Sequence, residues 1–412
     1  MINEVNLRPS PVKSVTFMTM PTTAQAAAIM TAPVGWIANR FGRKRVFIVC
    51  SAGFTLASVL CGLAQDITQM VLFRLLQGVF GAGLVPLSQA VMMDIFPPEK
   101  RGQAMAIWGM GVMLGPIFGP TLGGWLTENY SWRWVFYINI PFGIICAYAV
   151  YYIFGAPKPK SNDEPIDKVG LALLIVGIST LQIMLDKGSE LDWFSSPLIT
   201  TLAIVSFLSL GSLIIWELGE EHPVIDLRLF KLRNFAISSI CLTVGSFAFY
   251  IYVVIGPLWM QTQLGYKAYD AGIVMAFTGI LALVCGPLFG ALIHKIDARW
   301  IASIGFAVMA YSCYEAALFT TQVDQHSLIM ARLTVGAGIV GFFMPMTSIS
   351  MSQLKPHEIA AGTGMTNFLR NIGGSIGTAI SATMWGDYAS RFHAQMVEHV
   401  QGASIPFQEF ST

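Results

Sequence analysis

Residues 111–126 read GVMLGPIFGPTLGGWL and lie within an apolar run over residues 104–126. A run of this length can cross a bilayer, because about 20 helical residues span the roughly 30 Å of hydrocarbon. The run contains seven small or helix-breaking residues, namely Gly111, Gly115, Pro116, Gly119, Pro120, Gly123 and Gly124. They would destabilise a soluble helix, whereas in a membrane neighbouring helices satisfy the freed backbone groups. The stretch therefore predicts a membrane helix.

Four of these glycines recur every four residues, from Gly111 to Gly123, and so share one face of the helix. A stripe of small residues lets another backbone approach closely, and the two prolines bend the helix axis. Two interpretations stay open. The stripe is either a packing seam alone or a kinked seam along which the helix moves against its neighbours.

The composition indicates a polytopic helical membrane protein rather than a soluble domain. Hydrophobic residues make up 54% of the 412 residues, charged residues 11%, and the mean hydropathy is +0.62. The net charge of +1 gives no argument for a nucleic-acid partner. The six cysteines lie in apolar segments at irregular spacing, which is typical of core residues rather than disulfides or metal ligands.

Twelve apolar segments are predicted, at 17–38, 46–64, 69–93, 102–126, 133–155, 169–186, 198–217, 235–261, 270–293, 300–320, 327–352 and 360–386. The basic loop at residues 40–45 is assigned to the cytoplasm, because cytoplasmic loops carry an excess of Lys and Arg. Alternation then places fifteen basic residues inside and six outside, with three in the membrane. It also places both termini outside. We therefore expect a fourteen-helix architecture, of which this chain lacks the first and the last helix.

An internal repeat supports a transporter plan. The sequence RLLQG from Arg74 and RLTVG from Arg332 are displaced by about 255 residues, and each is followed by a proline. Repeated halves around a midplane site are typical of secondary transporters. The predicted organisation is an atypical tail at 1–16, a five-helix half-bundle at 17–160, two inserted helices at 161–220, a second five-helix half-bundle at 221–390 and an external tail at 391–412.

Several motifs carry a resemblance to a known family. Residues 35–44 are similar to the cytoplasmic loop motif of the major facilitator superfamily, residues 74–78 to its fourth-helix arginine motif, and residues 111–124 to its antiporter motif. Residues 132–141 and 181–195 resemble the fourteen-helix drug:proton antiporter branch, in particular the EmrB type of multidrug exporter. The resemblance covers about residues 20–400. It implies an all-α major facilitator fold, here with about twelve transmembrane helices in two pseudo-symmetric half-bundles and without the family's first and last helices.

The resemblance also implies a function, namely proton-driven export of amphipathic or aromatic drugs across the inner membrane. The expected energy source is the proton gradient, with no cofactor and no metal. The expected partners are drug-like substrates, protons, the lipid bilayer, a periplasmic membrane-fusion adaptor and an outer-membrane channel. The alternative is a truncated, non-transporting remnant or a sensor on a transporter scaffold. The sequence has no phosphate-binding P-loop that would indicate an ATPase and no HExxH arrangement that would indicate an enzyme.

Four ionisable residues within the apolar segments are candidates for proton coupling or transport, because charges there are expensive. They are Arg74, Glu315, Arg332 and Arg370. The resemblance implies proton coupling for Arg74, and helix anchoring is its alternative. Glu315 and Arg332 are expected either to form an ion pair across a hairpin or to provide a proton-binding carboxyl at Glu315. Packing and a substrate pathway stay equally open for Arg370.

A cytoplasmic gating loop is the remaining candidate site, comprising Gly35, Asn39, Arg40, Gly42, Arg43 and Lys44 with Asp94 as a plausible acidic partner. The family often has an aspartate where this sequence has Asn39. The resemblance implies that this loop latches the cytoplasmic side, and contact with anionic lipid is the alternative. Asp186 and Glu217 lie at predicted helix ends close to water and are interpreted as interface residues, with membership of a relay as the alternative.

Overall fold

A computed structural model describes residues 30–31, 34–97, 104, 108, 111, 115, 119, 121–153, 167–221, 223–293, 295–355 and 358–402. This part of the chain is helical with short turns and contains no strand. Its α-helices are α1 Val34–Phe41, α2 Arg43–Leu63, α3 Ile67–Gly81, α4 Leu84–Ile95, α5 Trp134–Tyr137, α6 Asn139–Ile153, α7 Lys168–Lys187, α8 Pro197–Gly219, α9 Arg233–Gln263, α10 Ala268–Leu292, α11 Ala298–Ala317, α12 Gln325–Met351 and α13 Ile359–Gly402. Residues 121–129 are also helical, and two 3₁₀ helices cover Trp193–Ser195 and Leu227–Lys231.

Eight stretches of the described residues are long and apolar enough to cross a membrane. They correspond to eight of the twelve predicted segments. Two further predicted segments, 300–320 and 360–386, are helical as α11 and α13. The segments 17–38 and 102–126 lie partly outside the described residues.

Two of the predicted segments are broken rather than continuous. Segment 69–93 divides into α3 and α4 at a turn of Ala82 and Gly83, and segment 133–155 divides into α5 and α6 at Ile138. Pro86 and Pro141 lie in the first turns of α4 and α6, where a missing N–H removes no helical hydrogen bond. Each proline therefore favours the start of a new helix over the continuation of the old one.

Residue 391, where the external tail is predicted to begin, lies inside a helix, and the external location of this segment stays a prediction. Helix α13 continues from Ile359 to Gly402 and passes through the predicted boundary. Residues 387–401 contain no glycine or proline, and glycine is a common residue where helices stop. Local propensity therefore carries the helix to Gly402.

The helices pack in sequential groups. Helix α2 packs against α3, α5 and α6, whereas α12 packs against α9, α10 and α11, and α9 also packs along α13. Helices α7 and α8 pack mainly against each other and share a buried apolar cluster with α9, α12 and α13. Helix α13 also contacts α1 and α4, so it joins the two parts of the chain. The domain boundaries given above stay a prediction.

Candidate functional site

Three arginines lie in helices that correspond to predicted membrane segments, and each guanidinium stacks on an aromatic ring. From Cζ to the ring centroid, Arg74 lies 4.5 Å from Phe136, Arg332 lies 4.1 Å from Tyr252 and Arg370 lies 4.9 Å from Phe343. In the described part of the chain, none of the three forms an ion pair with an acidic side chain. A cation over the face of a ring is stabilised by the ring quadrupole, the more so where water is excluded. The rings therefore hold three fixed positive charges in the membrane.

Arg74 belongs to a network of neutral polar side chains between α2, α3 and α6. Its Nη1 donates to Gln77 Oε1 at 3.4 Å, and Gln77 Nε2 donates to Ser58 Oγ at 2.7 Å. Asn139 Nδ2 reaches the same hydroxyl at 3.5 Å. Such bonds link helices where water is absent. The network orients Arg74 without neutralising it.

Arg332 is more deeply buried, with 6% of its surface exposed. Its guanidinium lies between the Tyr252 ring and the backbone of Gly256, where a Cβ would overlap Nη2. Its Nη1 has no hydrogen-bond partner among the described residues. The ring of Tyr252 is therefore the principal partner of this charge.

The predicted ion pair between Glu315 and Arg332 is not formed. Glu315 is half-buried near the end of α11, and no ion pair within the described chain joins it to Arg332. The physical reason is the aromatic partner, because the guanidinium already lies over Tyr252. Tyr252 interacts electrostatically with both Arg332 and Glu315, so its side chain lies near both charges.

Arg370 lies in α13, and its Nε has no hydrogen-bond partner among the described residues. Two asparagines near it link α13 to the first part of the chain. Asn367 Nδ2 donates to Gln89 Oε1 at 3.2 Å, and Asn371 Nδ2 donates to Thr31 Oγ1 at 3.5 Å. Arg370 therefore lies beside a polar contact between the two parts of the chain.

The glycine stripe of residues 111–126 does not form the predicted packing seam with the described residues. Gly111, Gly115 and Gly119 are exposed, and no described atom lies within 4 Å of a Cβ built there or at Gly123. Pro116 and Pro120 lie outside the described residues, and Gly124 is helical. Next to the stripe, Thr121 Oγ1 donates to the Gly272 carbonyl of α10 at 2.9 Å. Contact with α10 thus begins beside the glycines rather than on them.

Close backbone contacts are made by other glycines instead. A Cβ on Gly305 of α11 would lie 2.5 Å from Phe342 N of α12, and one on Gly338 would lie 2.7 Å from Met309 N. A Cβ on Gly373 of α13 would overlap the carbonyl of Thr243 on α9. These crossings need glycine because two helix backbones meet directly.

The candidate gating loop is almost entirely helical. Helix α1 ends at Phe41 and α2 begins at Arg43, with Gly42 alone between them at a φ of 87°. A positive φ favours glycine, so Gly42 sets the angle between the two helices. Lys44 Nζ donates to the Tyr151 carbonyl at 2.8 Å, which fastens the start of α2 to α6.

The other loop residues are placed as follows. Arg40 and Arg43 are half-buried and both take part in polar or electrostatic contacts. Gly35 and Asn39 are positions of α1, and Asp94 is a position of α4. Their side chains lie outside the described residues, so the predicted contact of Asp94 with the loop stays a prediction.

Sequence reasoning did not identify the contacts that hold the inserted helices against the rest of the chain. Trp193 Nε1 donates to Thr383 Oγ1 of α13 at 3.2 Å, between segments 190 residues apart.

The interpretation of Glu217 as an interface residue near water is wrong, because it is 1% exposed. The buried residues Val224 and Ile225 follow it in the connection to α9. Polar residues inside apolar segments were the available signal, but they do not reveal their partners.

Comparison with known proteins explains this arrangement. The sequence profile of the Major Facilitator Superfamily matches residues 11–378. The chain belongs to this superfamily. It is 39% identical over 389 residues to the multidrug export protein EmrB of Haemophilus influenzae, covering 93% of this chain and 76% of the relative. It is also 39% identical to the fatty acid resistance protein FarB of Neisseria gonorrhoeae, with the same coverage of each chain.

A solved structure supports the fold. The human organic anion transporter MFSD10 (TETRAN) superposes with a TM-score of 0.65, covering 90% of this chain and 79% of that one, at 16% sequence identity. The predicted all-α major facilitator fold and the EmrB-like resemblance are therefore confirmed. This member of the superfamily is a multi-pass protein of the inner membrane and a transporter rather than an enzyme. The roles of the candidate residues stay predictions.

Proposed function

We propose that this transporter exports amphipathic or aromatic toxic compounds from the cytoplasm in exchange for protons. One observation carries the proposal: three arginines within the membrane lack an acidic partner in the described chain. An arginine keeps its proton in proteins, so these are permanent charges. Each costs about 2.5–3.5 kcal/mol on insertion scales. Because these arginine charges are kept in the membrane at such a cost, we expect them to interact with a charged group that moves during transport.

Glu315 is the proposed proton-exchanging carboxyl. It is half-buried, and its charge reaches Tyr252, the ring that holds Arg332. An ionised Glu315 is attracted by Arg332, and that attraction disappears when the carboxyl takes a proton. Proton uptake from outside would thereby change the charge balance around α9, α11 and α12. The proposed energy source is the proton gradient, without a cofactor.

Arg74 is the proposed counterpart in the first hairpin. Its neutral partners Gln77 and Ser58 orient the guanidinium without cancelling the charge, so it can attract an anionic group of the substrate or of a moving helix. The polar contact of Asn367 with Gln89 joins α13 to α4. In the proposed cycle this contact breaks and re-forms as the two parts rock about a midplane site. No described atom lies within 4 Å of a Cβ built at Gly111, Gly115, Gly119 or Gly123, and this face is the proposed surface for that movement.

The proposed substrate class follows from the relatives. One is named for multidrug export and another for fatty acid resistance, and fatty acids are amphipathic anions. A periplasmic membrane-fusion adaptor and an outer-membrane channel are the proposed partners, by analogy with EmrB. The proposed cytoplasmic latch is the Gly42 hinge with Lys44 fixed on α6.

The test uses this chain in a bacterium that lacks its own drug pumps. Cells loaded with a fluorescent lipophilic dye are expected to export it only while a proton gradient exists. Glu315→Gln and Arg74→Ala are expected to abolish gradient-driven export. Glu128→Gln is the matched control, because Glu128 is exposed and is also predicted to be external.

Export that persists in Glu315→Gln with unchanged pH dependence would contradict the role of this carboxyl. Absence of export from correctly inserted wild-type protein would contradict the whole proposal and favour a non-transporting sensor. Insertion is checked separately by labelling of the cysteines and by the melting temperature.

A further inference from the structure

A second group of buried charges lies outside the arginine sites, where the inserted helices α7 and α8 meet. Asp167 caps α7, and its Oδ1 accepts a hydrogen bond from Gly170 N at 2.8 Å. Both of its oxygens also accept from Trp216 Nε1, at 3.1 and 3.2 Å. Hydrogen bonds from N–H donors stabilise the ionised form of a carboxylate. Asp167 thus has N–H donors on both carboxylate oxygens, although it is only 8% exposed.

Glu217 is the next residue after Trp216 and has the opposite surroundings. Only 1% of its surface is exposed, and neither carboxyl oxygen has a hydrogen-bond partner among the described residues. An ionised carboxylate without partners is far more costly to bury than a neutral group. The backbone of Val224 and Ile225 interacts with this carboxyl without forming a hydrogen bond of good geometry, so Glu217 is a buried carboxyl with only weak polar partners.

The two carboxyl groups border the same small space above Gly170. A Cβ at this position would overlap Asp167 Oδ2 and would lie 2.7 Å from Glu217 Oε1. A glycine is therefore required for the two groups to approach. Two ionised carboxylates at this separation repel each other strongly in a medium of low dielectric constant.

The charged groups on the surrounding elements do not neutralise the pair. Lys168 on α7 and Lys231 on the 3₁₀ helix are exposed, and Glu220, the C-cap of α8, adds another negative charge. Arg228 Nη2 donates to the backbone carbonyl of Glu220 at 2.9 Å. Within the described residues, no ion pair joins any cation to Asp167 or Glu217. No positive charge of the described residues therefore neutralises the pair.

We propose that Glu217, with Asp167 beside it, is a proton-binding site at the junction of the inserted helices, distinct from the arginine sites. A metal ion needs more ligands than two carboxylates, and the described residues contain no cluster of three or more suitable side chains. A proton on Glu217 removes the repulsion, while Asp167 keeps its bonds to Gly170 and Trp216. Loss of the proton places two negative charges between α7 and α8 and loosens their contact.

The first test is the melting temperature of the full chain in nanodiscs between about pH 5 and pH 9. A glutamate carboxyl in an unfolded chain titrates near pH 4.3, and the proposed site requires that the folded chain holds the proton above that pH. The stabilising effect is therefore complete at low pH and decreases as pH rises. We expect the wild-type melting temperature to fall with rising pH and the Glu217→Gln variant to fall much less, because glutamine keeps the shape of the neutral group.

Glu221→Gln is the matched control, since Glu221 is exposed and lies four residues further on, just beyond the end of α8. It is expected to keep the wild-type pH dependence. A second readout is infrared spectroscopy with ¹³C-labelled glutamate. The carbonyl band of a protonated carboxylic acid is expected at neutral pH in wild type and Glu221→Gln, and its loss is expected in Glu217→Gln.

Three results would overturn the proposal. An unchanged pH dependence of Glu217→Gln, or no protonated band in the wild type, would show that Glu217 holds no proton. A lower melting temperature of Glu217→Gln at every pH would show that the native group is charged. Stabilisation by Na⁺ or K⁺ at constant pH that Glu217→Gln removes would show that the ligand is a metal ion.

Discussion

The hairpins α2–α3 and α11–α12 share the same arrangement of an aspartate cap, an arginine and a hydrogen-bonding serine. In each, the second helix begins with an aspartate cap, Asp66 or Asp324, and an arginine follows eight residues later. In each, a serine on the first helix forms a hydrogen bond with a residue 19 positions further along. These bonds are Gln77 Nε2 to Ser58 Oγ at 2.7 Å and Ser312 Oγ to the Ala331 carbonyl at 2.8 Å.

The hairpins differ in what separates their helices. In α2–α3 an aromatic ring fills the space, since a Cβ on Gly81 would lie 3.1 Å from the Phe54 ring. In α11–α12 the backbones meet directly, with Gly305 against Gly341 and Phe342. A side chain can move aside, whereas a helix backbone cannot without displacing the whole helix. The first hairpin is therefore the adaptable one, and the second is the rigid one.

The largest expected effect concerns this rigid crossing. Gly305→Ala places a methyl group against the backbone of Phe342, and overpacking of this kind costs about 1–3 kcal/mol or more. Gly81→Ala is the matched change in the adaptable hairpin and is expected to be nearly neutral, because the Phe54 ring can shift. Melting temperatures in detergent compare the two. Equal losses would remove the distinction between the hairpins.

The next effect concerns the rings that hold the arginines. Tyr252→Leu is expected to lower dye export at least tenfold, because a desolvated cation–π contact contributes about 2 kcal/mol and Arg332 has few other partners. Phe136→Leu is expected to have a smaller effect, since Gln77 still binds Arg74. Tyr252→Phe keeps a ring and is the control. A larger loss of dye export from Phe136→Leu than from Tyr252→Leu would contradict this expectation.

The bridging serines give a smaller difference. Ser58→Ala leaves the buried donors of Gln77 and Asn139 without an acceptor, which costs about 1–2 kcal/mol. Ser312→Ala removes a bond to a backbone carbonyl and a contact with the Tyr252 hydroxyl but leaves no buried amide donor without an acceptor, and membrane double-mutant cycles average about 0.6 kcal/mol for one such bond. Unfolding by denaturant in mixed micelles measures both. A larger loss for Ser312→Ala would contradict this ranking.

The smallest effect is a pH dependence at the start of α12. The hydroxyl and N–H of Ser327 donate to the Asp324 carboxylate and lower its pKa. The capping contribution is therefore complete above the unfolded value of about 3.9 and is lost as pH falls below it. Asp324→Asn is expected to flatten the decrease in melting temperature between about pH 5 and pH 3. An unchanged decrease would show that the cap does not contribute.

Hydropathy was sufficient to predict most of the helices, because a membrane span is long and uniformly apolar. It did not indicate the breaks at Gly83 and Ile138 or the continuation of α13 to Gly402, since these depend on local backbone geometry. It identified Arg74, Arg332 and Arg370, because charges are rare in such segments. It did not identify Phe136, Tyr252 and Phe343 as their partners, since aromatic residues are common throughout the chain.

The glycine motif shows the same limit. A stripe of glycines every four residues predicts close packing, yet the described residues leave Gly111, Gly115 and Gly119 exposed. The closest crossings use Gly305, whose spacing is less conspicuous, and Gly336, where a Cβ would overlap the Thr278 carbonyl. The spacing of glycines in a sequence shows which face of a helix carries no side chains. Which helix lies against that face depends on contacts far apart in the chain.

The central claim is that a proton gradient drives export through these charges. The most direct measurement uses purified protein in proteoliposomes with an imposed pH gradient and a fluorescent amphipathic dye. We predict dye movement that follows the direction of the gradient, stops with a protonophore and is absent in Glu315→Gln. Dye movement that ignores the gradient, or none from correctly folded wild-type protein, would contradict the account.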